Sequence, residues 1–398
     1  MDIHRLYEIS NKRFRKIIGL MSGTSFDGLD LALCEFEGSG LDTKMKLLKF
    51  KTVDHDGEFK EELKSVFSKK TASLEKVTLL NAFVGTYFGQ LVLDCLEEWN
   101  IKPVDVDLIA SHGQTIFHAP KWLHRQSHYG NATLQIGDGD HLSYKTGIIT
   151  LSDFRQKHIA AGGEGAPLAM YGDFLIFSSD IEARIMLNIG GIANFTFLPA
   201  GKNSGKVFST DIGPGNTLLD QFVQLKFPGK YFDKDALIAR SGSVNNVLLE
   251  TLLDHPFFSA DFPKTTGPEL FNISYLQEAM QKSGQESIPD NDVMATLTAF
   301  SAEAIITALA ATIKKDGQPF SIYLSGGGMH NPLLVGRLID YFGKDSMFTT
   351  AELGIDPDAK EAVLFALLAN EAIAGGQVNY GKMSRLPSIS MGKISFPN

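Results

Sequence analysis

Twice along this chain an apolar run breaks at a stretch of small and polar residues and then resumes as a second apolar run. Residues 16–21 lead into Ser22-Gly23-Thr24-Ser25-Phe26-Asp27-Gly28, and residues 29–36 follow. Asp-Gly between two strand-like runs is a hairpin signal. In the second half, residues 184–189 meet Gly190-Gly191-Ile192-Ala193-Asn194 and continue through 195–198. After a turn at 199–205, a further strand at 207–210 ends in Asp211-Ile212-Gly213-Pro214-Gly215-Asn216. A third glycine stretch, Ser325-Gly326-Gly327-Gly328-Met329-His330-Asn331, follows the strand-like 321–324.

Helical spacing alternates with these strands. Leu74, Val77, Leu80, Val84, Tyr87, Leu91, Cys95 and Trp99 recur every three to four residues, which predicts a helix over 74–99. Val293, Leu297, Phe300, Ala304 and Ala308 predict another over 292–313, with Asp292 as its cap. A last helix is expected over about 359–374, capped by Asp358 and stopped by Gly375-Gly376. Residues 106–110 read as a short buried strand ending in Ser111-His112-Gly113-Gln114-Thr115. Open α/β sheets place ligand contacts in such loops. The alternation gives the α/β class. At 398 residues the chain exceeds one ordinary core, so two domains are expected, 1–180 and 181–398.

Composition excludes some functions. A net charge of -9 argues against nucleic-acid binding, which needs an excess of Lys and Arg on one face. The two cysteines, Cys34 and Cys95, sit in apolar sequence and read as buried thiols in a reducing compartment. No run of about 18 apolar residues is seen, so no membrane span is expected. The polar first 16 residues lack a signal peptide's apolar middle and read as an extension before the first strand.

Glycine lets backbone N–H groups approach phosphate oxygens, and Ser or Thr adds hydroxyl donors. Neither a Walker A nor a dinucleotide fingerprint occurs, so a nucleotide would be held between hairpin loops. Each loop alone reads as a plain turn; three at strand ends shift the balance toward phosphate. Asp153, after the strand-like 148–151, reads as an ion-pair or cap partner beside Arg155, or as a base. His112 reads as a loop histidine or a donor to a sugar hydroxyl. Glu361, three residues after Asp358, reads as a capping-box acceptor. His118, His124 and His128 are spaced too loosely for a metal site.

Taken in order, the segments 19–30, 111–115, 153–155, 162–168, 188–194, 211–216 and 325–331 resemble the anhydro-N-acetylmuramic acid kinase family across roughly residues 16–375. The resemblance implies a two-domain actin-like ATPase fold of the sugar kinase and ribonuclease H-like kind, with a central cleft. It implies ATP and Mg2+ as cofactors, an anhydrosugar substrate, a homodimer, a cytoplasmic setting, and no nucleic-acid or membrane partner. Asp153 matches the general base that activates water. Nucleotide contacts are expected from Gly23, Thr24, Ser25, Phe26, Asp27, Gly28, Leu29, Asp30, Gly190, Gly191, Asn194, Gly326, Gly327, Gly328 and Asn331. Sugar contacts are expected from His112, Gln114, Arg155, Gly163, Asp211, Gly215, Asn216 and Glu361, with Asp27 and Asp211 toward the metal. The reaction implied opens the 1,6-anhydro bridge with water and phosphorylates the freed O6. Glu164 stands where glutamine is expected, and Met170-Tyr171 where a proline is. The alternatives are a kinase for another 1,6-anhydrosugar, such as 1,6-anhydroglucose, and an actin-like ATPase that serves as a binding module.

Overall fold

The computed structural model describes residues 2–24, 26–166, 168–376 and 387–398. They form two compact units, Met1–Ile176 with Gly354–Asn398, and Phe177–Leu353. In chain order the strands are β1 (Phe14–Ser22), β2 (Gly28–Glu37), β3 (Lys44–Asp54), β4 (Leu108–Ala119), β5 (Ala132–Ile136), β6 (Thr150–Ser152), β7 (Ala183–Ile189), β8 (Ile192–Leu198), β9 (Phe208–Pro214), β10 (Phe320–Ser325), β11 (Met347–Thr349) and β12 (Lys393–Ser395).

The first unit's sheet runs β3-β2-β1-β4-β6-β12, with β5 paired to β4. β1 to β3 form an antiparallel meander, while β4 and β6 continue parallel to β1. The second sheet runs β9-β8-β7-β10-β11 with the same sense: an antiparallel meander, then two parallel strands. The two halves are therefore one strand–loop–strand design used twice, the α/β two-unit architecture of the actin-like class.

In the first unit the helix Leu74–Glu98 turns Leu80, Val84, Phe88 and Val92 onto Ile18, Leu20, Leu31 and Leu33. The helix Lys360–Ala374 packs on β1, β2 and β4. A side chain at Gly19 would fall 1.8 Å from the Ala362 carbonyl oxygen, so glycine there lets the helix backbone lie on the strand. In the second unit the helix Asp290–Asp316 sets Ala302, Ile305 and Leu309 against Ile185, Leu187 and Phe195.

Several expectations change. One boundary near 180 is not enough: the chain leaves the first unit after Ile176 and returns to it at Gly354, because the last long helix covers the first sheet. β4 does not stop at Ala110. It carries Ser111-His112-Gly113-Gln114-Thr115 inside the strand, because β5 supplies a hydrogen-bonding partner beyond Gln114. The helix around Val293 starts at Asp290 behind Pro289, so Asp292 lies inside its first turn. Asp358 does not cap the last helix: Asp356 accepts from the Asp358 N–H at 3.0 Å in a short 3-10 turn, and no side chain caps the helix itself. That removes the capping-box role for Glu361. The N-terminal extension forms a helix, Asp2–Ser10. The helices Leu74–Glu98 and Asp290–Asp316 are, against expectation, long and apolar enough to cross a membrane by length and composition; each packs against the hydrophobic core of its unit. Cys34 and Cys95 are buried free thiols.

Candidate active site

The loop between β1 and β2 is braced from beneath. Ser22 Oγ donates to Gln114 Oε1 at 2.6 Å and sits 3.2 Å from His55 Nε2. Gln114 Nε2 donates to the Gly23 carbonyl at 3.1 Å, and the His55 N–H to the Asp27 carbonyl at 3.0 Å. Burial holds His55 neutral, its pKa lowered to about 4. Gln114 is fully buried with both ends of its amide engaged, so it braces the loop instead of facing a sugar. Within the loop Phe26 adopts φ 60° and packs edge-on against Phe67 at 4.9 Å, and Leu29 is fully buried; both side chains belong to the core. Gly28 brings β2 close to β3, since a side chain there would meet the Val53 carbonyl at 2.6 Å. Gly23 is half-buried, and Thr24 and Asp27 are exposed. Ser25 lies outside the described residues.

At the end of β6, Asp153 takes left-handed backbone angles, φ 56° and ψ 47°, at the N-terminus of the helix Phe154–Ala160. Such a conformation costs on the order of 1–2 kcal/mol for a residue with a side chain. Aspartate at this position ordinarily caps the helix, yet its carboxylate makes no capping hydrogen bond. Oδ2 instead meets Lys393 Nζ at 2.5 Å, and the side chain keeps 25% exposure.

Arg155, two residues on, is the electrostatic centre of this region. Its Nη1 donates to the Gly165 carbonyl at 2.6 Å and its Nη2 to His112 Nε2 at 3.0 Å, while the buried Nε has no partner among the described residues. His112 is buried and donates from Nδ1 to the Gly113 carbonyl at 3.0 Å. Burial first, then the Arg155 charge, lowers its pKa to about 3, so the ring is neutral and orients the guanidinium. His158 is held neutral the same way, near 4, and its Nδ1 accepts from the Gly165 N–H at 2.9 Å. A side chain at Gly163 would collide with the His158 ring at 2.1 Å. Desolvation raises the Glu361 carboxyl above its ordinary value although the side chain stays exposed; Lys360 and Arg155 oppose the rise and Asp30 adds to it. Desolvation also raises Asp30, which accepts from Thr52 Oγ1 at 2.5 Å. An exposed carboxylate within electrostatic reach of the Arg155 guanidinium can hold polar hydroxyls.

In the second unit three glycine turns meet. The N–H groups of Gly215 and Asn216 donate to the Gly191 and Gly190 carbonyls at 2.8 Å each. Side chains at Gly215, Gly326 and Gly328 would fall 2.3 Å from the Gly190 oxygen, 2.6 Å from Asn188 Oδ1 and 2.2 Å from Ile189 Cγ2. Glycine is thus what lets the β7–β8 turn, the β9 end and the β10 end touch. Gly190 and Gly327, by contrast, have no neighbour closer than 3.5 Å to an added side chain. Asn194 lies inside β8, paired with Asn188 and Asp211, and Asn331 caps the helix Pro332–Phe342 by accepting from Leu333 and Leu334. Asp211 accepts from the Thr266 N–H at 2.9 Å. Desolvation, with Glu269 adding, raises its pKa to about 6. His55, His158, Thr266 and Lys393 were not singled out by sequence; His158 is placed by the nearby Gly163–Gly165 turn, and the other three by partners distant in the chain.

Comparison with known proteins places relatives along the whole chain. The model of the family described as anhydro-N-acetylmuramic acid kinase matches residues 15–384. A relative of that name from Pseudoalteromonas atlantica is 55% identical over 399 aligned residues, spanning 100% of this chain and 99% of its own. One from Pseudoalteromonas translucida is 51% identical, spanning 99% and 98%. A more distant one, from Caldanaerobacter subterraneus subsp. tengcongensis, is 38% identical, spanning 98% and 99%. Likeness of this extent shows that the chain belongs to the anhydro-N-acetylmuramic acid kinase family.

Proposed function

We propose that the protein uses ATP and water to open 1,6-anhydro-N-acetylmuramic acid and phosphorylates the freed O6, giving N-acetylmuramic acid 6-phosphate for peptidoglycan recycling. The observation that carries this reading is Asp153: a strained, uncapping carboxylate in a chain of this family. Its free oxygen is the proton acceptor for water attacking the anomeric carbon. Arg155 and Glu361 are the groups that grip hydroxyls or the carboxylate of the sugar, and the neutral His112 and His158 keep Arg155 and the Gly163–Gly165 turn in place. The converging glycine turns suit a nucleotide, because the space beside Gly190 and Gly327 is unfilled and gives a phosphate room to approach. Among the described residues no cluster of three or more His, Cys, Asp or Glu could hold a metal by itself. That suits Mg2+, which takes one or two carboxylates plus phosphate oxygens and water; Asp27 and Asp211 are the candidates. Bound ATP and Mg2+ would supply the phosphoryl group and neutralise its charge. Family membership also supports a cytoplasmic homodimer.

ADP release is measured with 1,6-anhydro-N-acetylmuramic acid, with 1,6-anhydroglucose, and with neither. Turnover with the first alone is expected. Equal turnover with 1,6-anhydroglucose points to the broader anhydrosugar kinase, and release without any sugar to an ATPase module. Asp153→Asn is expected to keep nucleotide binding, read by calorimetry, while losing about 10²-fold or more in kcat.

A further inference from the structure

The last strand of the chain reaches Asp153. β12 pairs antiparallel with β6, setting Lys393 opposite Ser152, the residue before Asp153. The strand is firmly seated. Ser143 Oγ donates to the Ser395 carbonyl at 3.1 Å, Met391 is buried, and Gly392 at φ 101° lets the backbone pass the Phe154 ring, which an added side chain would meet at 3.2 Å. From that seat Lys393 Nζ contacts Asp153 Oδ2 at 2.5 Å. Among the described residues Asp153 Oδ1 has no hydrogen-bond partner, and neither carboxylate oxygen caps the following helix.

We propose that Lys393 is a positioning residue for the reaction: it fixes one oxygen of Asp153 and so aims the other at the reacting water. This rests on the reading of Asp153 as the base. As a structural bond the contact matters little, since Lys393 is 67% exposed and exposed ion pairs add little stability. Its effect is on aim. A carboxylate on a left-handed residue, with no cap to anchor it, otherwise turns freely about its side-chain bonds. Misaiming a catalytic group by about 1 Å can cost on the order of 10²-fold in rate.

The full-length enzyme is compared as wild type, Lys393→Met, Lys393→Arg, Asp153→Asn and the Lys393→Met/Asp153→Asn double variant. Thermal melting monitors the fold, and ADP release gives kcat and KM. Lys393→Met is expected to lower kcat by about 10-fold with KM for ATP unchanged and the melting temperature kept. Lys393→Arg should restore most of kcat, since it keeps a donor at the same reach. In the double variant the methionine should add no loss beyond Asp153→Asn. Wild-type kcat in Lys393→Met, or losses that multiply in the double variant, overturns the proposal. If Asp153→Asn itself turns over normally, the reading of Asp153 as base falls, and the role of Lys393 falls with it.

Discussion

Single residues here are tuned mostly by burial. Asp211 shows how that tuning appears in stability. Its pKa is raised to about 6, chiefly by desolvation, against an ordinary value of 3.8. A carboxyl raised in the folded state binds its proton more tightly folded than unfolded. Above pH 6 the folded protein therefore carries the cost of a buried charge. The cost fades as pH falls from 6 toward 4 and is absent below. Asp211→Asn keeps an oxygen to accept from the Thr266 N–H and removes the charge. It should raise unfolding stability at pH 8 by roughly 1–2 kcal/mol, after allowing for partial exposure. The gain should vanish by about pH 4. Urea unfolding at pH 8, 6 and 4 measures it, and equal midpoints at pH 8 would refute the account. Residue types were readable from sequence, but not their employment. Gln114 and His112 sit in a polar run that suggests substrate contact; both are spent on partners within the protein, Ser22 and Gly23 for one, Gly113 and Arg155 for the other. Only three-dimensional packing decides whether a polar atom points outward or is already satisfied.

Among elements, turn chemistry was legible and pairing was not. The glycines of 190–191, 215 and 326–328 announce close backbone approach, and the structure spends them on it. The apolar run ending at Ala110 gave no sign that β4 continues to Ala119, because its continuation depends on β5 twenty residues later. β12 was equally hidden: its three residues carry no strand pattern and form by adding to an edge. The glycine turns support a direct test. Gly326 combines φ 81° with a clash at 2.6 Å against Asn188 Oδ1, whereas Gly201 has φ 76° and open space around it. Gly201→Ala pays about 1 kcal/mol for a left-handed backbone at φ 76° and ψ 16°, whereas Gly326, at φ 81° and ψ 160°, holds a conformation essentially reserved for glycine and strains an alanine further. Only Gly326→Ala must also push the β10 turn away from the β7–β8 turn. Gly326→Ala is expected to weaken nucleotide affinity by about 10-fold or more (roughly 1.4 kcal/mol), with Gly201→Ala binding as wild type. Calorimetric titration of nucleotide into each variant reads the difference; matched affinities would separate the turn from the nucleotide.

At the scale of the whole molecule, the order of the chain and the order of the units disagree, and stability should follow the units. Helix Lys360–Ala374 buries Val363, Leu364, Phe365, Leu367 and Leu368 within the first unit. At about 1.5–3 kcal/mol for each large side chain, that is on the order of 10 kcal/mol, as large as a domain's entire net stability. Polar anchors join it. The Glu371 carboxylate accepts from the Gly40 N–H at 2.9–3.0 Å, and Arg15 Nε donates to Asn370 Oδ1 at 2.7 Å. Residues 1–176 expressed alone should therefore lack a cooperative thermal transition. Joined to 354–398 through a flexible glycine–serine linker, they should regain one. Residues 177–353, whose sheet and covering helices all lie within that span, should melt cooperatively without help. Circular dichroism melting of the three fragments decides the matter. A sharp transition in 1–176 alone would mean that the returning helix is an ornament on an already stable sheet, and that a single boundary near residue 180 describes the folding units after all.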